Sequence, residues 1–146
     1  MTSLRNLVGA SLETLAPSRR SIGRLLEGTA RHIADAKVAA VSPETRFASA
    51  YTAIRMLADA GLHAHGYRTL TSRPGHHRTA IQTLSSTFDV EPRVIVRLDA
   101  LRKQRNLAEY SGDPVPESTV AECVSQAEAL HAAATAWLVA HRPELL

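Results

Sequence analysis

The richest chemistry in the chain is concentrated between Leu101 and Tyr110. Arg102, Arg105, Asn106, Glu109 and Tyr110 offer guanidinium, amide, carboxylate and phenol groups within a few helical turns. Val94, Leu98, Leu101, Arg105 and Ala108 recur at steps of four and three, the spacing of one helical face, so an arginine takes a place that the pattern reserves for an apolar side chain. A guanidinium in that place is paired, snorkels to water, or faces a cleft or a second subunit. Together with its neighbours it binds phosphate and base edges, or it closes a buried polar knot with Asp99, Glu109 or Asp35 as internal partner.

Other chemical candidates are weaker. No acidic residue occurs between Asp59 and Asp89, while Arg68, Arg73, Arg78, His63, His65, His76 and His77 all lie there. Lys37 and Lys103 are the only lysines, so positive charge is carried mainly by guanidinium, which suits phosphate and stacks on bases. Adjacent histidines on a helix point about 100° apart, and no Cys, His or carboxylate spacing completes a metal site around either pair. Glu128 and His131 form half of a di-iron bundle pattern, without the second Glu-x-x-His or the two further glutamates. No glycine-rich phosphate loop or Gly-x-Ser-x-Gly elbow occurs, so neither a metal nor a cofactor is expected. Cys123, on a polar-to-apolar border with no histidine nearby, is expected to be an inert packing residue.

The elements that must position these groups are helices. Ala and Leu dominate and β-branched residues are scattered, which favours helix over strand. Leu4, Leu7, Leu12 and Leu15 have helix-like spacing and predict a short first helix. Ser18 is placed to cap a helix whose Ile22, Leu25, Leu26, Thr29, Ile33, Ala36 and Ala40 form one stripe to about Val41. Ser42, Pro43 and Glu44 supply a capping hydroxyl, a ring preset for the first helical position and an acid at the positive helix end. Phe47, Tyr51, Ile54, Leu57 and Gly61 then make the inward face of a second long helix. His65 to Gly75 reads as a loop, His76 to Phe88 as a shorter helix, and Pro92 opens the helix that carries Arg105. After the loop Ser111 to Pro116, a long last helix presents Val120, Val124, Ala127, Leu130, Ala134, Trp137 and Leu138. Short connections between such helices predict an all-α, up-and-down bundle of four to five helices.

A chain of 146 residues fits one domain, 1–146, with its core at about 20–142. The net charge of +3 is too mild to identify a partner. No run approaches the roughly 18 apolar residues of a membrane span, and the start lacks the apolar run of a signal peptide. With a single cysteine that cannot pair internally, a cytoplasmic setting is expected, without membrane contact.

The run Leu101 to Tyr110, with Arg105, Asn106, Ala108, Glu109 and Tyr110, resembles the motif of prokaryotic HEPN domains, which begins with Arg-Asn and in one branch reads Arg-x-x-Ala-Asp/Glu-Tyr. The order of elements over about residues 20 to 142 is similar too, including Ala48 to Leu57, Gly75-His76-His77 and the long closing helix. The resemblance implies a HEPN-like bundle forming a homodimer, with two motifs at a shared cleft that binds RNA or nucleotides. It also implies a bacterial toxin–antitoxin or defence setting and a small nucleotidyltransferase antitoxin as partner. Cleavage, where present, is that of a metal-independent endoribonuclease yielding a 2′,3′-cyclic phosphate. Carried onto this chain, Arg105 contacts and polarises the scissile phosphate, Asn106 holds local geometry, and Arg102, His76, His77 and Tyr110 line the cleft. Tyr110 stands where the nuclease motif, Arg-Asn-x-x-x-His, has histidine. A phenol of ordinary pKa near 10 is a poor general base at neutral pH, so proton transfer would fall to His76 or His77. The alternative expectation is a catalytically inactive bundle that binds a partner protein.

Overall fold

A computed structural model describes residues 3–146. Its architecture is a helical bundle of α1 (Arg19–Ala36), α2 (Pro43–Ala64), α3 (His76–Gln82), α4 (Leu84–Thr87), α5 (Pro92–Ser111) and α6 (Glu117–His141). Two short strands, β1 (Leu12–Thr14) and β2 (Tyr67–Thr69), pair antiparallel beside it. No helix among the described residues is long and apolar enough to cross a membrane.

The expected helix boundaries follow their caps. Ser18 Oγ accepts the Ser21 N–H at 3.2 Å, and Ser42 Oγ accepts the Thr45 N–H at 3.4 Å. Pro43 and Pro92 occupy first-turn positions, where no N–H is needed. Gly112 ends α5 at φ 70°, a left-handed conformation that lets its N–H reach the Ala108 carbonyl.

Four expectations need correction. The segment from Leu4 to Leu15 is not a helix: a single 3₁₀ turn (Leu4–Leu7) breaks at Gly9, where φ is 89°, and β1 follows. Pairing places Leu12 opposite Thr69 and Glu13 opposite Arg68, whose side chains form an ion pair, and leaves Leu12 fully buried. The loop His65 to Gly75 therefore contains β2. The helix of His76 to Phe88 is divided at Thr83, whose hydroxyl donates to the Ala80 carbonyl at 2.9 Å. The first long helix also stops at Ala36 instead of continuing to Val41.

α2 is the central element. It packs on α1 and α6 and, on its other sides, on α3, α4, α5 and β2. Eleven of its residues are buried, from Phe47 to Ala64, so it is apolar nearly all round. α6 contributes Val120, Cys123, Ala127, Leu130, Ala134 and Leu138 to the same core. Cys123 lies fully inside, and burial pushes its thiol up to about 12, which leaves it without thiolate at neutral pH.

Candidate functional site

α2, α3 and α5 meet around the side chain of Tyr51. The Arg105 guanidinium carbon lies 5.2 Å from the Tyr51 ring centroid, a cation–π contact. The His77 ring lies 6.3 Å from that of Tyr51, and His76 meets His77 edge-on at 4.5 Å. One turn along α2, Arg55 donates from Nη1 to Asp59 Oδ2 at 3.1 Å. On α5, Arg102 donates from Nε to Asp99 Oδ1 at 2.8 Å, and Lys103 approaches the other oxygen at 3.5 Å.

Each arginine of this cluster thus has a carboxylate on its own helix, but the pairs differ in burial. Arg102 and Asp99 are enclosed, with side-chain exposures of 14% and 12%. Arg105 meets Glu109 at 3.0 Å with 25% exposure against 59% for the acid. An ion pair with so exposed a partner contributes only about 0–1 kcal/mol. Arg102 is consequently held as a structural pair, whereas Arg105 is the guanidinium most easily transferred to another anion.

The surrounding field shifts several titrations. Burial pushes the Tyr51 phenol up to about 12, against the opposing pull of Arg105, Arg102 and Arg55. Burial likewise raises Asp59 to about 6, with Arg55 and His76 acting the other way. Burial lowers His77 to about 4, reinforced by His76, Arg55, Arg105 and Arg102. Asp99 is raised by burial but lowered more by its hydrogen bond to Arg102 and the nearby cations, and the net direction is down. At neutral pH the cluster therefore contains a neutral imidazole and a protonated phenol among guanidinium groups.

Of the residues expected at the site, Arg102, Arg105, His76 and His77 come together. Asn106 and Tyr110 are instead exposed on α5. Tyr110 is 94% exposed, and five helical positions place it about 140° around α5 from Arg105. Tyr51, Arg55 and Asp59 were missed as site residues. Arg55 and Asp59 had a local signal, opposite charges four positions apart on α2, whereas Tyr51 belongs to the apolar stripe and had none. His65 serves the fold: it hydrogen-bonds the Thr87 carbonyl through Nε2 at 2.9 Å and packs against Trp137. No group of three or more His, Cys, Asp or Glu side chains suited to a metal occurs among the described residues. A separate cleft of about 630 Å³ is lined by Leu7, Ser11, Arg78, Thr79 and Ser86, none of them a residue expected at the site.

No family model, curated protein or solved structure matches this chain.

Proposed function

We propose that this protein is a HEPN-type module that binds RNA or a nucleotide through Arg105, working as a pair of identical subunits. The observation that carries the proposal is the state of that arginine: its Nε is buried without a hydrogen-bond partner among the described residues, and its ion-pair partner is a largely exposed glutamate. A guanidinium so placed has unused donor capacity and little to lose by accepting phosphate. The cluster of Arg55, His76 and His77 beside it and the motif from Arg105 to Tyr110 support the same function.

In this proposal, cleavage proceeds by attack of the RNA 2′-hydroxyl oxygen on phosphorus, with loss of the 5′-oxygen and formation of a 2′,3′-cyclic phosphate. Arg105 stabilises the charge that builds on the phosphate oxygens. His77, neutral at pH 7, takes the 2′-hydroxyl proton, and the His76–His77 pair returns a proton to the leaving oxygen. A base pushed down to about 4, chiefly by burial, is weak, and an incoming phosphate offsets the part of that shift due to the neighbouring cations.

Fluorescence anisotropy with a short single-stranded RNA tests binding. Arg105→Ala is expected to lose about 1–3 kcal/mol, roughly fivefold to 150-fold in affinity. Affinity equal to that of the wild type ends the proposal. For cleavage, total RNA incubated with chelator should yield fragments ending in cyclic phosphate, and a His76/His77 double alanine variant should not produce them.

A second function, a non-enzymatic interaction protein, is favoured by the carboxylate that each arginine finds on its own helix. If Arg105 is an internal fastener, Arg105→Ala should cost about 3–5 kcal/mol of stability. A shift of about 1 kcal/mol or less accords with its half-exposed pair.

A further inference from the structure

Tyr51 is 1% exposed, yet its hydroxyl has no hydrogen-bond partner among the described residues. A buried hydroxyl left unpaired is unfavourable, so packing alone would be served better by phenylalanine at this position. Arg105, Arg102 and Arg55 all act on that hydroxyl, and the Arg105 guanidinium lies against the ring that bears it. Burial keeps the phenol protonated, so it is a hydrogen-bond donor at neutral pH. Arg105 Nε is a second buried donor without a partner. Two idle donors in one cationic setting are suited to an oxyanion, which accepts several hydrogen bonds at once.

We infer that Tyr51 is a phosphate-binding residue: its hydroxyl and the Arg105 guanidinium together receive a phosphate oxygen, and the ligand displaces the Glu109 carboxylate from Arg105. The inference deepens the function proposed above and rests on it for RNA as the source of the phosphate. Both donors are closed off while Arg105 lies over Tyr51, so the guanidinium must lift for a ligand to enter. Glu109 restrains it only weakly, being 59% exposed at 3.0 Å. Glu109 meets the guanidinium through a single contact, so a phosphate can take up the two-pronged geometry that the carboxylate does not use, while uncovering the phenol. Arg102 has no such freedom, because its carboxylate partner Asp99 is enclosed with it.

The test compares wild type, Tyr51→Phe and Glu109→Gln by thermal melting over a titration of inorganic phosphate, and by anisotropy with a short single-stranded RNA. Without ligand, Tyr51→Phe is expected to melt at or above the wild-type temperature, since only an unpaired hydroxyl is removed. With ligand it should bind both probes about tenfold more weakly, the loss of one hydrogen bond to a charged group. Glu109→Gln should bind both several-fold more tightly. Unchanged binding by Tyr51→Phe, a fall in its ligand-free melting temperature, or weaker binding by Glu109→Gln overturns the inference. RNA binding that needs Arg105 but not Tyr51 overturns it while leaving the proposed function standing. Phosphate protection that needs Tyr51, without any RNA binding, upholds the phosphate site and removes RNA as its source.

Discussion

Asp59 and His77 respond to burial in the same cluster with opposite effects on stability. The folded pKa of Asp59, about 6, lies above its ordinary 3.8, so its contribution is fully present below about pH 4 and is lost as pH rises through 6. His77, lowered from 6.5 to about 4, stays neutral in the fold while the unfolded chain takes up a proton. Its contribution is present above pH 6.5 and is lost as pH falls towards 4. Asp59→Asn should therefore gain stability relative to wild type as pH rises from 4 to 7, and His77→Gln should gain relative to wild type as pH falls from 7 to 4. Urea unfolding at stepped pH measures both. A difference from wild type that does not vary with pH, in either variant, contradicts the assignment. The shared lesson is that a polar side chain on a buried helix face is titrated by the neighbours that the fold brings to it.

Helix glycines show how the elements are held apart or together. Gly61 on α2 faces α4 so closely that an added Cβ would lie 2.5 Å from Thr87 Oγ1 and 2.9 Å from Thr87 Cβ. Gly23 on α1 has no heavy atom within 4 Å of such a Cβ. Gly61→Ala is expected to cost about 1–3 kcal/mol through overpacking. Gly23→Ala should instead stabilise the protein by about 0.5–1 kcal/mol, because alanine loses less backbone freedom in a helix. Chemical denaturation of the two variants checks the contrast, and equal signs would show that α2 and α4 are not in close contact. The approach at Gly61 matters for the site, since α4 follows α3 directly and α3 carries both site histidines.

For the whole molecule, the outer side of α5 stands apart. α5 packs on α2, α3 and α4, while Val96, Leu107 and Tyr110 are 69%, 66% and 94% exposed. Apolar side chains exposed along one helix are suited to an interface between two copies of the chain. Arg105 lies about 140–180° around α5 from these side chains, so pairing through this face leaves it outside the seam. Leu107→Glu is accordingly expected to reduce the mass measured by size-exclusion chromatography with light scattering from two subunits to one, with little change in melting of the monomer. A wild-type protein that runs as one subunit at high micromolar concentration would remove this interface.

Much of the bundle was legible before any coordinates, because capping and periodicity are local. Ser18, Ser42 with Pro43 and Glu44, Pro92 and Gly112 mark helix ends through groups only a few residues away. Arg105 declared itself in the same way, as a charge on an apolar stripe. The errors arose where distant residues decide: Leu12 is extended because Thr69 pairs with it, and Glu13 meets Arg68 across 55 residues of chain. Glu109, one turn from Arg105, was one of three carboxylates that could pair with it, and only packing chose among them. Tyr51 presented itself in sequence as an ordinary core aromatic, and the three-helix junction alone sets it beside Arg105 with its hydroxyl unpaired. Local spacing therefore determined which helices form and which arginine is unusual. The tertiary fold decided which charges, rings and idle donors share one volume, because burial and electrostatics depend on neighbours in space.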